Sequence, residues 1–268
     1  MISMHIRLYI LGICSLLATF LPGSAIAQFF EYQSNAVLLK YSDRYEIPFT
    51  GETDQENGVI FTFQHADGWK YGDNFGFVDF SDKDQTGSDI YGEFYANFSL
   101  GKMTGKHVGF WRVKDMGILA GINAGRETKL LKWLPGFRLS WDVPGFAFLN
   151  TDFTLYIDDS RGAAAGGVPK ETDSYMIDVN FLSDFDIGRH GFSIEGHIEY
   201  ISERENEFGE KVDWWILSQP RFMYDLGKIW LEKPNHLYVG IEWQVWIHQA
   251  GDPDTNENAP QLILVGRF

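Results

Sequence analysis

Aromatic and ionisable side chains recur at a spacing of two along several segments of this sequence. The clearest example is Tyr91-Gly-Glu93-Phe-Tyr95, in which two phenols flank a carboxylate. Residues two apart in an extended chain lie on the same face, so these three side chains would line one surface. Rings stack on flat solutes, and charged groups form strong hydrogen bonds. Such a surface would offer both stacking and hydrogen-bonding contacts.

The same spacing gives a larger set of candidate residues on the polar faces of predicted strands. The candidates for solute contact are Tyr91, Glu93, Tyr95, Asp142, Asp152, Tyr156, Glu195, His197, Glu199, Tyr238, Glu242 and Trp246. Charges that pair only to stabilise a filled interior would produce the same pattern. That alternative stays open on the sequence alone.

Two further groupings have residue types that could support catalysis or metal binding. Ser193, Glu195 and His197 share one strand face, but neighbours on a face are about 6.5–7 Å apart, too far for a direct nucleophile–base hydrogen bond. His65 and Asp67 supply two ligands, whereas protein metal sites commonly use three or four. We therefore expect a protein that is not an enzyme, with no catalytic site, no metal and no cofactor.

The candidate residues belong to segments in which apolar and polar residues alternate. Runs such as 149–158 and 237–248 have about the length that a tilted strand needs to cross a bilayer. We predict twelve strands, an even number as in bacterial barrels, and an all-β, antiparallel transmembrane β-barrel that is a monomer. Their centres are expected near residues 37, 62, 77, 95, 121, 139, 153, 178, 196, 218, 242 and 264. Pro220 would require a bulge or an edge.

Both ends of the chain have features of an exported barrel. Residues 1–27 have the pattern of a cleaved signal peptide, which leaves one barrel domain over residues 28–268. The last strand places Leu262, Leu264 and Phe268 on one face, and we interpret Phe268 as a membrane anchor. Ile263 and Val265 lie on the other face, so this strand is expected to close the barrel without lining the solute path.

Composition excludes several classes. The net charge of −15 repels nucleic acid. Mean hydropathy is −0.20, and beyond the amino-terminal region the sequence has no apolar segment of about 20 residues. A helical membrane protein is therefore excluded.

An ordered set of motifs resembles a known family. The segment 68–80, Gly-Trp-Lys-Tyr-Gly-Asp-Asn-Phe-Gly-Phe-Val-Asp-Phe, is followed by Tyr91-Gly-Glu93, Trp141-Asp-Val-Pro-Gly-Phe146, Gln219-Pro220 and Gly240-Ile-Glu-Trp-Gln244. Together they resemble the nucleoside-specific channel-forming outer-membrane proteins (Tsx-like, including the OmpK group). The matching motif residues are Gly68, Trp69, Gly72, Asp73, Phe77 and Asp79. Of these, Gly68, Gly72 and Asp73 are interpreted as turn residues.

The resemblance implies a narrow pore in the bacterial outer membrane, in contact with lipid and lipopolysaccharide, that passes nucleosides or similar small solutes. It also implies that the surface loops could serve as a bacteriophage receptor. The rival hypothesis is a structural or adhesive barrel whose lumen is plugged by charge pairs and whose acidic loops bind a partner.

Overall fold

The structure, a computed structural model, describes residues 30–50 and 54–268. The predicted signal peptide lies outside the described residues. Within the described part, no helix is both long enough and apolar enough to cross a membrane.

Antiparallel strands make up most of the described chain. The strands are β1 (Phe30–Glu46), β2 (Gln55–Trp69), β3 (Gly72–Lys83), β4 (Gly87–Ser99), β5 (Val113–Gly125), β6 (Leu131–Trp141), β7 (Phe148–Asp158), β8 (Ser174–Ile187), β9 (His190–Ile201), β10 (Arg204–Glu205), β11 (Lys211–Val212), β12 (Trp215–Ser218), β13 (Arg221–Asp225), β14 (Leu237–Ile247) and β15 (Glu257–Arg267). Two short helices, α1 (Leu100–Thr104) and α2 (Leu226–Trp230), lie in connections.

The main sheet closes on itself. Each strand pairs with its neighbours in the ring, and β15 pairs with both β14 and β1. At the closing seam, Ala36 lies opposite Arg267 and Tyr41 lies opposite Leu262. Because β12 and β13 share one place between β9 and β14, the barrel has twelve strands. The predicted fold class is confirmed, and every predicted strand centre falls inside an observed strand.

Pro220 interrupts the strand between β9 and β14, as expected from its missing N–H. Its carbonyl still accepts a hydrogen bond from the Trp243 amide at 2.9 Å. Gly196 of β9 faces the break with a φ of 144°. A Cβ at this position would lie 2.3 Å from the Gln219 carbonyl oxygen. Glycine therefore allows the interrupted strand to approach β9 closely.

The outer wall of the barrel is apolar through its middle. Exposed, outward-facing residues are Leu39, Phe63, Val78, Phe94, Ile118, Phe137, Ile198, Phe222, Ile241 and Leu264. In water, so much exposed apolar surface would be unfavourable. Against lipid it is the expected surface of a spanning barrel.

Aromatic side chains border this apolar band at both ends. At one end the rings of Tyr175, Tyr200 and Trp214 follow one another with centroids 6.1 and 6.2 Å apart. At the other, Phe192 packs against Phe185 and Tyr224 at 5.6 and 5.4 Å. Two such belts mark the two interfaces of a bilayer.

The connections differ in length between the two ends. One end carries long connections, including 159–173 and 248–256, and the connection 202–214 contains the hairpin of β10 and β11. The opposite end has two-residue turns at 70–71 and 188–189, with α1 and α2 in its two longer connections. We call these the long-loop end and the short-turn end.

One side of the barrel interior is filled with apolar side chains. The residues of this cluster, from β1, β13, β14 and β15, are Ala36, Leu38, Met223, Tyr238, Ile263 and Val265, each at most 4% exposed. Ile263 and Val265 therefore pack into a core on the inner face of β15, and the remaining space lies along β2 to β9.

Candidate functional site

A cavity of about 530 Å³ occupies the lumen between the short-turn end and the middle of the barrel. Its wall comes mainly from the inner faces of β2 to β9, with Gln219 and Arg221 completing it at the strand break. This volume lies in the range of about 300–1,000 Å³ that is usual for small-molecule pockets.

A carboxylate held by two phenols forms part of the cavity wall on β4. Tyr91 donates a hydrogen bond from its hydroxyl to Glu93 Oε1 at 2.5 Å, and Tyr95 donates to Glu93 Oε2 at 2.8 Å. The Tyr95 hydroxyl also lies 3.2 Å from Asn123 Oδ1. Phe77 of β3 packs 6.2 Å from the Tyr91 ring. The alternation of β4 thus produces an aromatic surface with a fixed carboxylate in it.

His197 lies across the lumen on β9, where both of its ring nitrogens are engaged. Nδ1 is 3.1 Å from Asp178 Oδ1, and Nε2 is 2.9 Å from Gln219 Oε1. Oxygen and nitrogen atoms of Asp178, His197 and Glu199 lie within 4.8 Å of one another, which makes them the one cluster in the described residues with metal-ligand spacing. A metal would have to replace one of the two imidazole contacts, so the geometry favours a hydrogen-bonded wall.

Arg138 of β6 joins three strands. It forms a bidentate pair with Asp152, both bonds at 2.7 Å, and its Nη1 donates to Asp73 at 2.9 Å. Asp73 accepts a further hydrogen bond from Asn97. The interpretation of Asp73 as a turn residue is wrong, because β3 begins at Gly72 and Asp73 points into the lumen to meet Arg138.

Gly72 of this motif allows two strands to pack closely. Gly72 pairs with Phe98, and a Cβ on it would lie 1.7 Å from the Asn97 carbonyl oxygen. The tight turn is formed by Lys70 and Tyr71, whereas Gly68 lies inside β2 and Gly72 begins β3, so the interpretation of these two glycines as turn residues is also wrong. Trp69 packs edge-on against the Tyr71 ring.

A second set of ion pairs lies beside the apolar cluster. Arg221 donates to Glu242 at 2.5 Å and to Glu195 at 3.3 Å. Lys40 contacts the same Glu242 at 3.3 Å, and Arg267 donates to Glu195 at 2.6 Å. These contacts join strands that are distant around the ring and hold this side of the lumen filled.

The lumen is closed towards the long-loop end by a buried aromatic and ionic layer, which we call the cap. Tyr156 and Trp215 pack edge to face at 6.3 Å, and the Arg204 guanidinium lies 4.2 Å from the Trp215 ring centroid. Arg204 also donates two hydrogen bonds to Glu171, at 2.7 and 3.0 Å. Lys132 contacts Glu171 at 2.5 Å. Because Glu171 and Arg204 come from the two longest outer connections, those loops fold into the barrel mouth.

The structure places the predicted site residues in five different positions. Those that line the cavity are Glu93, Tyr95, Asp152, Glu195, His197 and Glu199, with the motif residues Asp73, Phe77 and Asp79. Tyr91 supports Glu93; Tyr156 and Trp246 pack in the cap, and Tyr238 and Glu242 lie in the filled side. Asp142 is exposed in the turn after β6.

Phe268 lies on the outer surface at the short-turn end. Its side chain is 69% exposed, and its amide donates to the Asn35 carbonyl at 2.9 Å.

Sequence reasoning missed several residues of the cavity wall. Asp178 and Asn180 lie on the inner face of β8. Asn180 donates a hydrogen bond to Asp152, and Asp178 is hydrogen-bonded to His197. The alternation of β8 could have identified both. The inward position of Arg221 could not be predicted from alternation, because Pro220 interrupts the strand just before it.

The surroundings of Ser193, His197 and His65 show how these residues are held. The Ser193 hydroxyl has no hydrogen-bond partner among the described residues, and His197 is held by Asp178 and Gln219 instead. His65 contacts Asn35 at 2.8 Å and Asp67 at 3.0 Å.

Comparison with known proteins identifies the fold. No family model matches this sequence, and no curated protein matches it. The structure is similar to that of the NanC porin, with a TM-score of 0.52, 10% identity, 87% of this chain covered and 100% of that chain. For the KdgM porin the TM-score is 0.44 and the identity 10%, with 88% of this chain and 99% of that chain covered. For the COG4313 outer membrane channel from Pseudomonas putida F1 the TM-score is 0.46 and the identity 9%, with 92% of this chain and 99% of that chain covered.

The chain has the fold of an outer-membrane porin. Closure of the sheet satisfies the strand backbones internally, as a hydrocarbon environment requires. The apolar band and its two aromatic belts match that environment. Together these features place the protein in the bacterial outer membrane.

Proposed function

We propose that this protein is an outer-membrane channel for passive entry of small polar solutes with an aromatic ring, of which nucleosides are the leading candidates. The observation that carries this proposal is the 530 Å³ lumen cavity, whose wall combines Phe77 and Tyr95 with Glu93, Asp152 and His197. Rings stack on a base, while the carboxylates and imidazole are suited to hydrogen bonds with sugar hydroxyls. The motif resemblance supports the choice of nucleosides.

Weak binding at several points favours passage, since one tight site would retain the solute. The wall meets this requirement with separate polar groups on β4, β7 and β9. Passage also requires the cap to open, because Tyr156 and Trp215 are buried across the lumen. The channel we propose is therefore gated at its long-loop end. We also propose that it acts as a monomer, surrounded by lipid and lipopolysaccharide.

Single-channel recording in planar bilayers tests this proposal. Adenosine or thymidine at millimolar concentration should reduce the ion current reversibly. Replacing one stacking ring, Tyr95→Ala, should weaken block by roughly 5- to 150-fold, the equivalent of about 1–3 kcal/mol per stacked base. Tyr175→Ala is the matched control, because Tyr175 is 48% exposed on the outer wall.

The second candidate is a structural or adhesive barrel that acts through its loops, as a bacteriophage receptor for example. The filled side of the lumen and the Arg204–Glu171 contact favour it, since both obstruct the lumen. A protein that is folded in the bilayer and insulating under all solutes would reject the channel and support this alternative.

A further inference from the structure

The charged groups of the cavity wall are balanced unequally. Its basic side chains away from the short-turn rim are each held by carboxylates: Arg138 by Asp73 and Asp152, Arg221 by Glu195 and Glu242, and Lys40 by Asp79 and Glu242. Lys102 and Lys114 lie at the rim, and Lys102 contacts Glu31 there. These cations are consequently neutralised or distant from the inner end of the cavity.

Three carboxylates at the inner end have a different environment. Among the described residues, Glu93 accepts hydrogen bonds from the two phenols alone, and Asp178 accepts from His197 and from Asn180 at 2.8 Å. Glu199, which is 8% exposed, lies beside His197. In the part of the chain that the structure describes, no lysine or arginine nitrogen lies within 4.0 Å of these three carboxylates.

When all three of these carboxylates are ionised, the inner end therefore carries more negative than positive charge. Glu93 is close enough to interact electrostatically with His197, Asp178 and Glu199. One imidazole cannot balance three carboxylates, even when it is protonated. Carboxylates that surround a pore attract cations and repel anions, and the repulsion is strongest where the passage is narrow and its walls exclude water.

Aromatic rings next to these carboxylates add a second attraction for cations. Tyr91 and Tyr95 flank Glu93, and Tyr156 and Trp215 close the cavity above it. The face of an aromatic ring attracts a positively charged group. This protein already uses that interaction, because Arg204 lies against both Tyr156 and Trp215 from the cap side.

We propose that the channel selects by charge, admitting cationic and neutral aromatic solutes, small aromatic amines in particular, and excluding anionic ones. Glu93, Asp178 and Glu199 determine this selectivity. The inference rests on the proposed channel function, and it specifies the solute class that the same cavity accepts.

Ion selectivity gives the first test. In planar bilayers with a KCl gradient at pH 9, where the carboxylates are ionised, the wild-type channel should pass K⁺ more readily than Cl⁻. Each removed charge should lower the K⁺ to Cl⁻ permeability ratio by about tenfold, because one unit charge at roughly 6 Å in water-like surroundings changes the K⁺ and the Cl⁻ permeability by about threefold each in opposite directions. The test variant is Glu93→Gln/Glu199→Gln. The control is Glu127→Gln/Glu232→Gln, which removes the same charge from exposed positions.

A solute series tests the inference without any variant that could fail to fold. Tyramine, tyrosol and 4-hydroxyphenylacetate share one phenol ring and differ in a cationic, neutral or anionic end. Entry into liposomes that contain the wild-type protein should be fastest for tyramine and slowest for 4-hydroxyphenylacetate. A conducting channel that admits the anion as fast as the amine would overturn the selectivity and leave the channel function standing. A folded, insulating protein would overturn both.

Discussion

The Arg204 guanidinium lies 4.2 Å from the centroid of the Trp215 ring and donates to Glu171, so a residue of one outer connection joins a second connection to the barrel wall. Arg204 is 6% exposed. This contact closes the lumen from the long-loop side.

Removing that contact should open the channel. Arg204→Ala takes away the ring contact and both hydrogen bonds to Glu171, and we expect higher single-channel conductance and fewer closures. Lys211→Ala is the control, because Lys211 is 61% exposed in the same connection. Unchanged conductance in a correctly folded Arg204→Ala channel would show that the cap lies outside the conducting path.

Arg138 should be essential for stability. Arg138→Met leaves Asp152 buried without its bidentate partner, and breaking such a pair costs about 3–5 kcal/mol. Urea titration, with folded protein measured by its faster gel migration without boiling, checks the loss. The double variant Arg138→Met/Asp152→Leu should lose less stability, because it no longer contains an unpaired buried carboxylate. An equal or greater loss of stability would contradict the ion-pair explanation.

Gly196 should not tolerate a side chain. Gly196→Ala combines a φ of 144° with a Cβ placed 2.3 Å from the Gln219 carbonyl oxygen, and backbone strain alone costs of order 1–3 kcal/mol. Gly266→Ala is the matched control, because its nearest neighbouring atom is 3.5 Å away, and its effect should stay within about 0.5 kcal/mol. The same urea titration compares them, and similar midpoints would refute this role for Gly196.

Asp252 should make one outer contact dependent on pH. Burial alone would raise the pKa of this carboxyl, but hydrogen bonds from Thr255, the Phe49 amide and the Asp254 amide outweigh it and lower the pKa below its ordinary value. A lowered pKa in the folded state means that the ionised group stabilises the loop above the ordinary pKa of aspartate. That stabilisation is lost as the pH falls through the lowered value.

Hydrogen exchange at Phe49 measures this contact, since its amide donates to Asp252 Oδ2 at 2.6 Å. In the Asp252→Asn variant, the Phe49 amide should exchange faster at neutral pH than in the wild type. Its exchange rate, corrected for intrinsic pH dependence, should also change less when the pH is lowered. Asp254→Asn, at an exposed neighbouring position, should behave as the wild type. Equal protection in Asp252→Asn and the wild type would rule out the carboxylate as the source.

Local pattern was sufficient to predict the barrel. Alternation placed Tyr91, Glu93 and Tyr95 on one face because the period of a strand is independent of its partners. Pro220 identified the strand break through its missing N–H. These features depend on neighbours in sequence, and the structure has them where they were predicted.

Which inward-facing residues reach the cavity could not be predicted in this way. Glu242 faces inward, but it is buried by Lys40, 202 residues away along the chain. Tyr238 packs against residues of β1 and β13. The local sequence predicts a turn position for Asp73, because its partner Arg138 lies 65 residues further on and leaves no local signal. Such contacts follow from the curvature of the closed sheet, which a strand period does not contain.

The seam between β1 and β15 also determines when this protein can finish folding. Residues near the two ends of the described chain must meet before the ring is complete, and contacts so distant in sequence slow folding. Until the final strand arrives, β1 presents an unpaired edge that could join another chain. Assembly therefore carries an aggregation hazard that lasts until the carboxyl-terminal residues are delivered, and a mutation at the seam would prolong it.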